Sequence, residues 1–332
     1  MSRESNAPLA PMRVGIIGGG VAGLACAGLL AAQGHQPVVF DKGRGPGGRS
    51  SSRRAAPFAF DHGAQYFTAR DPSFRRALDT WLDKGVVARW EGRIVSLSLA
   101  DPQPVRGATE RFVGTPQMNA LAKYLARDIE LNCRTVVTRL DRLADGWRVV
   151  REDGVELGEF SRLVVALPPA QASALIGKKS PLGDRAAAVG MRPCWAVMLG
   201  LSEPYSVSFD GAFCDGHRLS WICRDNSKPG RPTAEAWVLH ASPEWTEAHL
   251  YDDRGAVTDA LIEELERLTG VSLPAVIHRD AHRWGLALSD PHLEPALFHD
   301  PERGLALAGD AYHGGRIEGA YLSGEAAARC LI

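Results

Sequence analysis

The sequence predicts an α/β chain: a discontinuous domain of parallel β-α-β type, interrupted by an inserted α+β domain built on an antiparallel sheet. Three observations predict it. Near the N-terminus the turn Gly18-x-Gly20-x-x-Gly23 joins a short apolar strand to a helix. Near the C-terminus the strand-like LALAGD, 305–310, precedes a helical stretch over 320–331. Between them, from about Pro193, the segments CWAVMLGL, LSWIC, AEAWVLHA and HRDAHRW read as strands of a second sheet.

The elements follow in order. Met1–Pro11 is polar, holds two prolines and reads as a mobile extension. Val14–Ala32 is uncharged and long enough to suggest a membrane span. Gly15, Gly18, Gly19, Gly20, Gly23 and Gly28 crowd it, however, and favour a buried strand and a packed helix. Arg13–Ile17 is that strand, the helix runs through Ala32, and Gly34 stops it. Pro37–Asp41 returns as a second strand, which makes a β-α-β unit. Arg44–Gly48 is a loop, and 74–82 and 117–127 carry helical spacing. Residues 130–165 alternate strands with hairpin turns at Asp145-Gly146 and Asp153-Gly154, and Pro168-Pro169 ends the last strand. Further helices are expected at 246–251 and 256–268. The implied division gives 12–77, 112–172 and 302–332 to the nucleotide domain, and 78–111 and 173–301 to a substrate domain.

A chain of 332 residues suits about two domains. Hydrophobic residues at 45% and charged residues at 23% exclude a disordered, collagen-like or coiled-coil chain. Lys plus Arg is 38 against 39 acids, a net charge of −1, which gives no support for nucleic-acid or membrane-surface binding. Cys26, Cys133, Cys194, Cys214, Cys223 and Cys330 form no CxxC pair and no zinc spacing. No metal site is therefore expected, and the thiols read as those of a cytoplasmic protein.

Each glycine of the first turn has a physical task. Gly18 permits the tight turn, Gly20 lets the backbone approach a pyrophosphate, and Gly23 lets helix and strand pack closely. The helix N-terminus then faces the negative charge. Asp41, 23 positions after Gly18, can accept hydrogen bonds from ribose hydroxyls. This much fits a Rossmann-type domain for either FAD or NAD. Gly47-Gly48-Arg49 adds backbone amides and a guanidinium for the same pyrophosphate. Gly309-Asp310, followed by Gly319 and a helix, adds a carboxylate for a sugar-like chain and a helix start for a flavin carbonyl. A domain for NAD alone needs neither addition, so the set favours FAD.

The chain resembles the renalase-like proteins of the flavin amine oxidase superfamily. The residues that carry the resemblance are IIGGGVAGL at 16–24, FDKGRGPGGRSSSRR at 40–54, DHGAQYFTARD at 61–71 and LALAGDAYHGGRIEGAYLSGEAAA at 305–328. GAQYFT at 63–68, with ASPEW at 241–245 and HRW at 282–284, is the part that resembles the renalase-like group in particular. The resemblance implies a non-covalent FAD touching Ala22, Asp41, Arg49, Gln65, Tyr66, Val137 and Asp310, with Asp41 standing where the superfamily commonly has glutamate. It implies oxidation of 2- and 6-dihydro isomers of NAD(P)H to NAD(P)+, with a hydride passing to the flavin and two electrons to oxygen, giving hydrogen peroxide. It draws the substrate pocket from Asn226, His240 and Trp284. Read from the residues alone, Asn226 also suits a hairpin turn and His240 a core strand.

Trp195, Trp221 and Trp237 are alternative walls, because strand register is open at this stage. Asp61-His62 reads as positioning the glycine turn beneath the flavin, and His313 lies near the expected flavin edge. Lys228, in the turn-like NSKPGR, is one of three lysines beyond position 123, and none falls at the end of a pocket strand. That counts against an amine oxidase; an amine oxidase or a desaturase-like flavoprotein is the second reading. A binding module without redox turnover is the third.

Overall fold

Arg13–Ile17 is the middle strand of a parallel sheet, with every residue but the first buried. Cover on both faces is what such an uninterrupted apolar run requires. The structure, a computed structural model, describes residues 10–97, 103–104, 109–289 and 296–332. Most of the extension read over 1–11 lies outside the described residues. The sheet order is 299–300, 305–307, 162–165, 13–17, 36–40, 130–132. Only the first of these pairs is antiparallel. The chain leaves strand 13–17 for a neighbour on one side and returns much later on the other. The loop after it is therefore a topological switch point, where α/β sheets open a crevice for ligands.

Two helices close one face. A Cβ on Gly23 of helix Val21–Ala32 would lie 2.0 Å from the Gly18 carbonyl oxygen, so glycine sets the helix-to-turn distance. Helix Arg316–Arg329 lies on the first helix, where a Cβ on Gly324 would meet the Ala22 carbonyl at 2.1 Å. It begins four residues before the expected start at 320. Gly314 and Gly315, at φ 69° and 75°, swing the chain into it, a turn that GGR conceals because it reads as loop. Strands Val137–Leu143, Gly146–Arg151 and Glu156–Phe160 form a separate antiparallel meander with the two expected hairpins.

The second sheet runs 276–289, 191–201, 236–241, 219–224, 211–214, 94–97, 103–104. It is antiparallel except where 211–214 pairs in parallel with 94–97, a strand supplied from before the meander. Asp253 caps helix Arg254–Thr269 by accepting from Gly255 N–H at 2.7 Å, and Gly270 ends it at φ 68°. Val257, Leu261 and Leu265 of this helix cover one sheet face. The other face turns toward the first domain, where Met198 and Val238 pack with Phe58 and Phe60. No helix among the described residues is long and apolar enough to cross a membrane.

Candidate active site

The glycine turn is held open by its neighbours. Both oxygens of Asp41 accept backbone N–H groups, from Gly19 and Gly43, each at 2.6 Å. Gly47 N–H donates to the Gly19 carbonyl at 3.0 Å. This brings Gly48 over the turn, where its Cβ would lie 3.6 Å from Gly20 Cα. Gly20 has ordinary φ and ψ of −79° and 179°, and a Cβ there would touch nothing within 4 Å. The fold itself does not demand glycine at this position. No side chain caps the helix that starts at Val21, so its first-turn N–H groups stay available to an anion.

Arg49 and Asp310, from opposite ends of the chain, form a bidentate pair at 2.5 and 3.0 Å, and Arg49 also donates to the Ala287 carbonyl. Gly309 N–H donates to the Ser323 hydroxyl at 3.1 Å. A Cβ on Gly319 would lie 2.2 Å from the His313 carbonyl, so glycine seats the last helix on the turn before it. Thr135 N–H bonds the Asp41 carbonyl, and half-buried Val137 opens the meander two residues on. The open cradle at Gly20, the uncapped helix start and the Arg49–Asp310 pair fit a dinucleotide pyrophosphate.

Residues 61–66 form a platform next to this cradle. A Cβ on Gly63 would lie 1.9 Å from the Arg49 carbonyl oxygen, and Ala64 N–H donates to that oxygen at 2.9 Å. Gln65 is 7% exposed, and its amide N–H donates to the carbonyls of Asp61 and Gly63. Lys228 then donates to Gln65 Oε1 at 3.2 Å and to Asp225 at 2.5 Å. Asp225 accepts the Asp61 N–H at 2.9 Å. The Asp61 carboxylate accepts from Ser52, Met118 N–H and Arg231, and lies 3.5 Å from Lys228. Two acids and two bases are thus buried together without excess charge. Burial disfavours the Lys228 ammonium, but Asp225 and its neighbours raise its pKa above the ordinary lysine value. Burial likewise disfavours the Asp61 carboxylate, yet Lys228 and Arg231 hold its pKa below the ordinary range. The turn expected at Lys228 exists, but its side chain is 0% exposed and anchors the platform.

The His62 carbonyl accepts two indole and imidazole N–H groups, from Trp284 at 2.9 Å and His240 at 3.2 Å. The two pocket candidates from different strands therefore meet at one peptide. Asn226 does not join them. Its amide N–H bonds Glu235 at 3.1 Å and its oxygen accepts Ala236 N–H at 3.1 Å, within its own connection. Register settles the tryptophans. His282, Ala196, His240 and Trp221 are cross-strand partners in one row, on the face toward the platform. Trp195 and Trp237 point the other way, into the helix-covered core. Tyr66 packs on Trp221, with ring centroids 5.4 Å apart.

Burial, with His282 next in weight, lowers His62 to about 4. Burial also lowers His240 to about 4, with its bond to the His62 carbonyl acting in the opposite sense. Both rings are neutral at pH 7. The unfolded rings titrate near 6.5, so the unfolded chain binds more protons between pH 6.5 and 4, and stability falls as pH drops through that window. The expected loss at pH 5 is about 2 kcal/mol for each ring. Denaturant unfolding at pH 7.5 and pH 5 measures it, and equal stabilities would contradict neutral burial.

Residues 16–81 match the model of an NAD(P)-binding Rossmann-like domain, and residues 102–332 match that of the flavin containing amine oxidoreductases. The chain belongs to the flavin containing amine oxidoreductases. Membership makes the cofactor FAD, held without a covalent bond, and the chemistry that of an oxidoreductase.

Among individual amine oxidoreductase-like proteins the likeness is broad in fold and narrow in sequence. A 4,4'-diapophytoene desaturase (4,4'-diaponeurosporene-forming) of Staphylococcus haemolyticus is 46% identical over 52 residues, 16% of this chain and 10% of that protein. The corresponding Staphylococcus aureus (strain Newman) enzyme is 42% identical over 52 residues. The match thus spans about a tenth of these curated relatives. A crystal structure of a candidate protoporphyrinogen oxidase from Exiguobacterium sp. 255-15 superposes with a TM-score of 0.75 at 13% identity, covering 97% of this chain and 98% of that one. Putrescine oxidase bound to putrescine superposes with a TM-score of 0.72 at 12% identity, covering 96% and 98%. At such identities the likeness is one of fold.

Within this amine oxidoreductase fold, sequence reading passed over Asp225, Lys228 and Arg231 as site-building residues. Their spacing inside NSKPGR and its flanks gives a turn signal only. The partners Asp61 and Gln65 lie more than 160 residues away, with Asp61 N–H bonded across 164 positions.

Proposed function

We propose that the protein oxidises aberrant 2- and 6-dihydro isomers of NAD(P) to NAD(P)+. One observation carries the reading. Where the second sheet faces the platform, His62 of the platform and His240 of the sheet are neutral and weakly basic, burial lowers the pKa of His282 as well, and Lys228 is locked in a buried ion cluster. An amine arrives as a cation and must lose a proton before it is oxidised. Bases with a pKa near 4 accept that proton poorly. A dihydronicotinamide is already a neutral, activated hydride donor and asks mainly for placement.

In this reading the glycine turn, Asp41, Gly48, Arg49, Asp310 and the last helix hold FAD, with Ala22, Gln65, Tyr66, Val137, Gly309 and Gly319 along it. FAD, when bound, supplies the hydride acceptor and passes two electrons to oxygen, giving hydrogen peroxide. Trp284 packs against the nicotinamide, and His240, fixed by the His62 carbonyl, orients it. Asn226 acts from behind by holding the 225–236 connection. Residues 12–77, 112–172 and 302–332 serve the cofactor, and 78–111 and 173–301 the substrate. The six cysteines, all free thiols, support a cytoplasmic setting.

The test is turnover in air with borohydride-reduced NAD+, a mixture of dihydro isomers, against putrescine as the amine control. Peroxide and NAD+ are expected in equal amounts from the isomers. Peroxide from putrescine with none from the isomers would overturn the reading.

A further inference from the structure

Two buried N–H donors beside Tyr66 have no acceptor among the described residues: Nε1 of Trp221 and Nε of Arg111. Trp221 is 6% exposed, and Arg111 is half-buried. The Arg111 guanidinium carbon lies 5.2 Å from the Tyr66 ring centroid, and the Trp221 ring lies 5.4 Å from it. Both donors therefore flank a single ring. Among the described residues, Arg111 donates only to the Thr109 carbonyl, at 3.2 Å, and no carboxylate pairs with it. Its neighbour Glu110 is taken by Arg75 and Arg89.

Folded proteins rarely leave buried donors empty, and a half-buried cation without a counter-charge is costly. The pairing of a delocalised cation with a second donor, among the apolar rings of Tyr66, Trp90 and Phe213, selects for an oxyanion. We propose that Arg111 and Trp221 form an oxyanion-binding subsite beside Tyr66, filled by a phosphate group of the molecule that is oxidised. That the phosphate belongs to a dihydronicotinamide dinucleotide rests on the function proposed above; the subsite itself does not.

The experiment uses the FAD-loaded protein, R111M and W221F. KM and kcat are measured for the dihydro isomers of the dinucleotide and of nicotinamide riboside, which has no phosphate. R111M is expected to raise KM for the dinucleotide by about ten- to a hundredfold and W221F by about tenfold, while KM for the riboside shifts little. Equal losses on both substrates would overturn the subsite. Binding of inorganic pyrophosphate, followed by tryptophan fluorescence, supplies a readout independent of turnover. Saturable quenching that R111M weakens supports the subsite even if wild type oxidises no dihydronicotinamide, in which case only the proposed function falls. Absence of quenching, with unchanged KM values in both variants, sinks the subsite. Acetate binding that depends on Arg111 in place of pyrophosphate binding would overturn the phosphate assignment. Unchanged KM for the dinucleotide in W221F would contradict the inference whatever its stability, because trading a buried indole for a smaller ring costs packing apart from any bond of the N–H.

Discussion

Replacing Lys228 with methionine lowers stability by about 3–5 kcal/mol and releases FAD. The substitution leaves Asp61 and Asp225 sharing a buried site, 1% and 0% exposed, with Arg231 as the one remaining cation. Breaking a buried ion pair from one side has that cost, because the remaining charge keeps its desolvation penalty without its partner. The platform loosens as well, since Lys228 bonds both Gln65 and the Asp225 carboxylate that holds Asp61 N–H. Neutralising the partner tests the cause. K228M/D225N removes one charge of each sign and leaves the asparagine oxygen to accept Asp61 N–H, so it regains a substantial part of the loss. Denaturant unfolding and the ratio of bound flavin to protein read both effects. A change below about 1 kcal/mol in K228M, the range of an exposed pair, would contradict the anchoring role.

Valine at Gly20 and valine at Gly23 have opposite consequences. At Gly20 the backbone is ordinary and a side chain meets open space, so G20V folds with the stability of the parent when no FAD is present. Its isopropyl group fills the space a pyrophosphate needs, and FAD affinity falls by on the order of a hundredfold. At Gly23 a Cβ would sit 2.0 Å from the Gly18 oxygen, so G23V displaces the helix and loses stability outright, by about 3 kcal/mol or more. Thermal unfolding of the apoproteins and flavin titration distinguish the two. Loss of apoprotein stability in G20V would mean that this glycine serves packing and not a ligand.

These contrasts show what the sequence could convey. The turn was legible because Gly18 and Gly23 answer local packing demands while Gly20 leaves open space, and the β-α-β context fixes where these fall. Gly18, Gly23 and Gly319 all proved to be sites of close backbone approach. The Arg49–Asp310 contact follows from two such motifs converging at one switch point. Pocket residues were less legible because period-2 strands leave the choice of face to register. Trp195 and Trp221 look alike in sequence, yet one lies under the helix 254–269 and the other beside Tyr66. Lys228 was the hardest to place. A lysine in a Pro-Gly turn reads as solvated, and its burial is favourable because the distant Asp61 and Gln65 join the nearby Asp225 around it. Asn226 is the converse, a residue whose turn chemistry was visible and whose amide the structure commits to that turn.

The central claim is that dihydronicotinamide isomers reduce the flavin held in this cradle. Anaerobic titration of the yellow protein with borohydride-reduced NAD+ tests it most directly. The account predicts bleaching of the flavin absorbance with one equivalent of isomer, release of NAD+ and recovery of colour on admitting air. Flavin that stays oxidised with the isomers and bleaches with an amine would contradict it.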